Sequence, residues 1–162
     1  MLGQLPHVEQ RAKTRAENAA YLSSILGEIP GIVPARLYEG CTRSAYHLYM
    51  FRYEREKFAN LPRNKFIKAL RAEGVPCSDG YGPLNKVGFI RDALNSRGYK
   101  RVYGEAAIKD WAERNACPEN DRLCQEAVWF MQNMLLGPRS DMDEIAAAIR
   151  KIHAHAAALA SA

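Results

Sequence analysis

The segment Ala45–Tyr53, which reads AYHLYMFRY, decides the fold class of this chain. It is rich in aromatic residues and contains no Gly or Pro, a composition typical of a β-strand. Alternation along a strand predicts two bulky faces. One carries Tyr46, Leu48 and Met50, and the other carries His47, Tyr49 and Phe51. Because both faces are bulky, we expect the strand to be covered on both sides.

Three shorter β-prone runs accompany this strand. Ile32–Leu37 contains Pro34, which restricts it to the edge of a sheet. Val75–Ser78 and the apolar run Ala127–Met131 predict two further short strands. We expect Trp129, Phe130 and Met131 to lie in the core.

Helical periodicity surrounds these strands. Near the start of the chain, apolar residues recur every three or four positions and predict one long helix that stops at Gly27. These residues are Val8, Ala12, Ala16, Ala19, Leu22 and Leu26. A second helix is predicted from Pro62 to Glu73. A final helix opens near Ser140, with Asp143 completing a capping pattern.

The buried face predicted for the final helix also follows this period. It consists of Met142, Ile145, Ile149, Ile152, Ala156 and Leu159. Residues 84–116 are the least regular part and predict one or two short helices, near Phe89–Ser96 and Glu105–Asn115. The fold class is therefore α+β, a small mostly antiparallel sheet with helices packed on one face.

Composition sets the broad class. Of the 162 residues, 48% are hydrophobic and 25% are charged, as in globular proteins. No apolar run approaches a membrane span, and the N-terminus does not resemble a secretory signal. Four cysteines without a C-x-x-C pair indicate reduced thiols in a cytoplasm rather than a disulfide framework, so we expect a cytoplasmic protein without a membrane partner.

Positive charge is concentrated in one segment. The chain carries 23 basic and 18 acidic residues, a net charge of +5. Between Lys86 and Arg101, five basic residues accompany only one acid, Asp92. Aromatic residues are not interleaved with this run in a stacking pattern, so no nucleic-acid partner is expected.

No self-sufficient catalytic motif is present. The sequence lacks G-x-S-x-G, H-E-x-x-H, a P-loop and G-x-G-x-x-G. A Cys–His nucleophile pair stays open, although each cysteine is better explained as an inert core residue. Zinc binding by Cys117, Cys124, His153 and His155 would need spacings that match no known frame, so no metal site is predicted.

Two stretches, by contrast, resemble a known family. The first joins Arg43–Tyr49 (RSAYHLY) to Lys65–Pro76 (KFIKALRAEGVP), and the second runs from Cys117–Cys124 (CPENDRLC) to Asp141–Ile145. With the Arg15–Asn18–Leu22 helix and Gly80–Leu84, they are similar, in order and spacing, to the carboxy-terminal part of the DegT/DnrJ/EryC1/StrS aminotransferases. The resemblance covers the chain from about Gln4 to His153.

This resemblance implies part of a fold-type-I enzyme that depends on pyridoxal phosphate (PLP). The family transfers an amino group from glutamate or glutamine to a keto-sugar or keto-cyclitol. Its Schiff-base lysine lies in a large amino-terminal domain, which these 162 residues do not include. We therefore expect residues 1–30 to form a helix linking to that large domain and residues 31–162 to form the small domain.

The same resemblance implies the partners. PLP is expected in the complete enzyme and not on this chain alone, and the partner is the large PLP-binding domain or its separate polypeptide. Lysines such as Lys65 and Lys68 are then ordinary surface residues. We also expect self-association that buries the first helix or the His47–Tyr49–Phe51 face. The alternative function is a standalone, non-catalytic binding or oligomerisation domain.

Candidate site residues follow from the resemblance and from charge. His47 matches the family's strand histidine that faces the substrate, while Tyr81 and Arg43 are further candidates for substrate binding. No catalytic residue is assigned. Arg97, Lys100 and Arg101 are possible phosphate contacts, which favours a nucleotide-sugar substrate over a cyclitol.

Overall fold

The computed structural model describes residues 2–161, which fold into two compact units. The first unit consists of residues 2–79 and 126–161, and the second of residues 80–125. Along the described residues the α-helices are, in chain order, α1 (Val8–Leu26), α2 (Arg63–Ala72), α3 (Gly88–Asn95), α4 (Arg97–Tyr103), α5 (Glu105–Lys109), α6 (Trp111–Arg114), α7 (Pro118–Glu126), α8 (Arg139–Ala154) and α9 (Ala156–Ser161). No helix within residues 2–161 is long and apolar enough to cross a membrane.

A three-stranded antiparallel sheet forms the centre of the first unit. Its strands are β1 (Ile32–Pro34), β2 (Leu48–Tyr53) and β3 (Ala127–Met131), in the order β1-β2-β3. Tyr53 lies opposite Ile32, and Phe51 lies opposite Val128. The predicted α+β class, with a small antiparallel sheet, is confirmed. Pro34 ends an edge strand, as expected of a residue that cannot donate a backbone hydrogen bond.

One strand starts later than predicted, and another predicted strand is not formed. Strand β2 begins at Leu48 rather than Ala45, because Tyr46 has a left-handed backbone with φ of 45°. An extended strand does not continue through this conformation, so His47 lies outside β2. The strand predicted at Val75–Ser78 is also wrong, since only Ser78 pairs there, as an isolated bridge to Trp129.

The inner face of the sheet carries the aromatic core. Tyr49, Phe51, Tyr53, Val128 and Phe130 are all buried. Tyr53 stacks on Phe66 of α2 with ring centroids 4.3 Å apart, and its hydroxyl donates to the carbonyl of Leu61. Burial raises the pKa of Tyr49 to about 12, although its hydroxyl shares a 2.9 Å hydrogen bond with Ser23.

The outer face of the sheet remains open, so the prediction of two covered faces is wrong. Val33 and Met50 are each 39% exposed, and Met131 is 52% exposed. Met131 therefore does not belong to the core, whereas Phe130 does. Tyr49 and Phe51 are buried within the unit, so the face that was expected to take part in self-association is not available for it.

The helices of the first unit pack as their periodicity indicated, with small differences. Leu22 and Leu26 of α1 are buried, but Val8 is exposed, because the first turn of α1 extends beyond the core. The predicted buried residues of α8 are buried, but the predicted final helix breaks at His155, and Leu159 of α9 is only half-buried. The capping pattern at Ser140 is wrong, since α8 starts after Pro138 without a side-chain cap, and Asp143 instead accepts from the Tyr21 hydroxyl at 2.6 Å.

The second unit is built from short helices only. Four helices, α3 to α6, occupy residues 88–114, where one or two were predicted. None of residues 80–125 is fully buried, although all of them are described. The second unit therefore has little of the hydrophobic stabilisation that the first unit has.

A buried amide joins the two ends of the first unit. Asn18 of α1 is 7% exposed and donates to the carbonyls of Leu135 at 3.0 Å and Gly137 at 2.9 Å. These carbonyls belong to the connection between β3 and α8. Without the Asn18 amide, each of these carbonyls would lose a hydrogen bond that water could not replace.

We predict that Asn18→Ala lowers the free energy of unfolding by about 2–4 kcal/mol, because two hydrogen bonds are lost and buried carbonyls lose their donor. Urea denaturation followed by circular dichroism measures the change. Glu17→Ala, at an exposed position of the same helix, is the control and should change stability by less than about 0.5 kcal/mol. Equal stability of the two variants would contradict the role of Asn18.

Candidate functional site

His47 lies at the entrance to β2. Its side chain is exposed, and it directly follows Tyr46, which is half-buried and packs against the core. Burial raises the pKa of Tyr46, so its hydroxyl stays neutral. The half-buried Tyr46 and the following strand hold the backbone on both sides of His47. An imidazole in this position can donate or accept one hydrogen bond to a ligand hydroxyl.

Arg43 lies four residues before His47 in the same loop. Its guanidinium is 3.0 Å from the Glu9 carboxylate of α1, and both side chains are exposed. An exposed pair of this kind is weak, so Arg43 remains available to another anion. Arg43 and His47 are thus the two predicted site residues that the first unit brings into one segment.

Tyr81 belongs to the second unit. It follows Gly80, whose φ of 81° is readily adopted by glycine alone, and its side chain is 77% exposed. An exposed aromatic on a glycine-containing loop suits contact with a ligand or another protein surface.

The three predicted phosphate contacts lie on α4, in the second unit. Arg97 and Arg101 are exposed, whereas Lys100 is half-buried and lines a cavity of about 670 Å³. Lys109 and Trp111 line the same cavity, and sequence reasoning missed both. Their spacing carries no recognisable motif, because three separate short helices bring them together.

The lysines do not fit a PLP aldimine site. All eight lysines of the chain are described, and none of them is buried. Lys65 donates to the carbonyl of Ala160 at 3.1 Å, and Lys151 lies 2.8 Å from the Glu73 carboxylate. A Schiff-base lysine needs a pocket that shields it from water and holds the cofactor beside it. Three lysines line the cavity of the second unit, but Lys86 and Lys109 are exposed and Lys100 is half-buried, so none of them is shielded from water in this way.

The cysteines and histidines form neither a metal site nor a disulfide in the described part of the chain. Cys77 is buried, and this burial raises the pKa of its thiol despite the nearby Arg71. Cys41 and Cys117 are exposed, so the prediction that every cysteine lies in the core is wrong for them. His153 packs edge-on against the Phe58 ring, 4.7 Å between centroids.

Comparisons with known proteins agree on one family. The family model described as the DegT/DnrJ/EryC1/StrS aminotransferase family matches residues 1–128. An L-glutamine:2-deoxy-scyllo-inosose aminotransferase of Streptoalloteichus tenebrarius is 31% identical over 96% of this chain and 36% of its own length. The enzyme of the same name from Streptomyces fradiae is 31% identical over 98% of this chain and 37% of its own length.

A solved structure shares the fold. The crystal structure of 3-amino-5-hydroxybenzoic acid synthase superimposes with a TM-score of 0.70 at 24% identity, covering 94% of this chain and 36% of that chain. The chain thus spans little more than a third of the length of the proteins that it matches.

We predict that a thiol reagent such as Ellman's reagent distinguishes the cysteines of the folded chain. Cys41 and Cys117 should react rapidly, because both are exposed. Cys77 should react only after denaturation, because it is buried and its raised pKa leaves little thiolate. The Cys77→Ser variant is the control and should lose only the reaction that appears after denaturation. Rapid labelling of Cys77 in the native chain would contradict its burial.

Proposed function

Because the chain belongs to the DegT/DnrJ/EryC1/StrS aminotransferase family, we propose that it forms the small domain of a PLP-dependent aminotransferase. The proposed reaction transfers an amino group from glutamine to a keto-cyclitol. The observation that carries this proposal is the match of nearly the whole chain to one third of two glutamine:deoxy-inosose aminotransferases.

A keto-cyclitol is preferred here to a nucleotide-sugar. The basic segment favoured a nucleotide-sugar, but the named relatives act on an inosose, which is a cyclic polyol ketone. Such a substrate is uncharged and offers several hydroxyl groups. Side chains that exchange single hydrogen bonds suit it better than clustered cations.

His47 in the first unit and, separately, Tyr81 in the second unit are each proposed to bind a substrate hydroxyl. Both are exposed and both can donate or accept a hydrogen bond. Arg43 is proposed to contact an anionic group, such as the carboxylate of the amino donor, in exchange for its weak pairing with Glu9. These roles orient the substrate and involve no proton transfer by this chain.

The cofactor and the remaining chemistry are assigned to the rest of a longer enzyme. PLP supplies the electron sink for transamination when it is bound. Since no lysine of this chain fits that role, we propose that a large domain, on the same or a separate polypeptide, holds the cofactor. Residues 1–30, which include α1, would link the two domains in the first case.

The outer face of the sheet is the surface proposed to meet another protein surface. Val33, Met50 and Met131 expose apolar side chains there, and such patches commonly mark interfaces. Besides the large domain, the second proposed partner is another copy of the complete enzyme, in a homo-oligomer.

We predict that the chain alone, incubated with PLP, neither forms one defined aldimine nor transaminates, because its lysines are exposed or half-buried. Absorbance spectroscopy and mass spectrometry after borohydride trapping test this. Stoichiometric trapping on a single lysine, together with turnover, would overturn the proposed division of roles.

The positive test of the function is complementation. This chain should restore glutamine-dependent amination of 2-deoxy-scyllo-inosose to the separately expressed amino-terminal two thirds of the Streptomyces fradiae relative. Native mass spectrometry shows whether the two pieces associate. Association with activity only on a nucleotide-linked keto-sugar would refute the cyclitol assignment.

In the complemented enzyme, we predict that His47→Ala raises KM for the keto-cyclitol about 3- to 10-fold, the value of one hydrogen bond to a neutral hydroxyl. His47→Gln should recover part of this loss, because an amide can also donate and accept. His155→Ala is the control, since His155 is exposed on the C-terminal side of α8. An unchanged KM in His47→Ala would remove His47 from the site.

A further inference from the structure

The cavity of the second unit combines unmatched positive charge with an apolar wall. Its volume is about 670 Å³, and its charged lining consists of Lys86, Arg91, Lys100, Lys109 and one acid, Glu105. All of these residues lie within residues 80–125, so the cavity belongs to this unit alone.

The four cations differ in how well they are neutralised. Lys86 is 2.7 Å from the Asp121 carboxylate, and Arg91 is 3.5 Å from Asp92 in a largely exposed pair. Within the described residues, Lys100 and Lys109 form no salt bridge, although Glu105 is four residues before Lys109. Lys100 is also half-buried.

A polar atom at the cavity also lacks a partner. The Asn85 side chain donates to the carbonyl of Asn115 at 2.7 Å. Its Oδ1 atom is buried and accepts no hydrogen bond from the described residues. A buried acceptor without a donor is unfavourable, and a turn of the Asn85 side chain toward the cavity would let a ligand hydroxyl group satisfy it.

The cavity also has an apolar part to its lining. Trp111 contributes its indole, and Leu94 and Ile108 complete the wall. Small-molecule sites commonly combine an apolar lining with a few polar groups, and this cavity is within their usual size range.

From these observations we propose that the second unit binds a sugar phosphate, that is, a small phosphomonoester with a saturated, hydroxyl-bearing ring. Lys100 and Lys109 contact the phosphate, Asn85 accepts from a ring hydroxyl, and the ring lies against Trp111. This proposal does not rest on the proposed aminotransferase function, because it is argued only from side chains that line the cavity of the second unit.

The test uses D-glucose 6-phosphate as the probe and the full chain without PLP or an amino donor. Calorimetry should show binding of glucose 6-phosphate that weakens with added salt. Glucose, which lacks the charge, and inorganic phosphate, which lacks the ring, should each bind at least tenfold more weakly. Amide shifts in NMR spectra should be confined to residues 85–112.

Two double variants with equal charge change separate the site from general electrostatics. Lys100→Gln/Lys109→Gln should weaken glucose 6-phosphate binding at least tenfold, since each charge-assisted contact is worth about one factor of ten or more. Lys57→Gln/Lys68→Gln, at exposed lysines of the first unit, should leave it unchanged. Circular dichroism confirms that both variants fold.

Three results would overturn the proposal. These are equal affinity of the two double variants, amide shifts that lie in the first unit, and glucose binding as tightly as its phosphate. Because transamination is not measured, none of them bears on the aminotransferase assignment.

Discussion

The buried carboxamide of Asn18 is the interaction on which the first unit depends. It joins α1 to carbonyls that lie 117 and 119 residues later in the chain. Arg15, one turn earlier, donates to Gln132 at 3.1 Å, and Tyr21, nearly one turn later, donates to Asp143. One side of α1 therefore fixes the path of the chain from β3 into α8. A buried carboxamide needs hydrogen-bond partners at defined positions. It therefore restricts the backbone path from β3 to α8 more than apolar contacts alone would.

The sequence predicted those parts of the fold that repeat a regular pattern. The helical stripe of α8 was found because it places its apolar residues toward one core. The alternation of β2 was also found, although only one of its two faces is buried. The start of β2 was missed, since Tyr46 adopts a left-handed backbone that a tyrosine rarely takes and no glycine marks. The burial of Asn18 and its hydrogen bonds were missed, because a polar residue on a helix is normally exposed and its acceptors are distant in sequence.

The candidate site was less predictable than the fold. A family resemblance pointed to His47, but its exposure depends on where β2 begins, and periodicity did not reveal that. The exposed outer face of the sheet was missed because Met50 reads as a core residue. The cavity of the second unit was missed because Lys109 and Trp111 belong to helices of five and four residues, which carry almost no periodic signal.

The backbone on either side of the second unit is held together. Ser78 and Trp129 exchange two backbone hydrogen bonds, of 3.0 and 2.9 Å, so the chain leaves and re-enters the sheet at neighbouring points. A segment inserted between clamped ends can change greatly in length at low cost, since loop-closure entropy rises by only about 0.6 kcal/mol for each doubling. In evolutionary terms, the second unit is a module that descendants could shorten, enlarge or exchange while the sheet and its aromatic core stay intact.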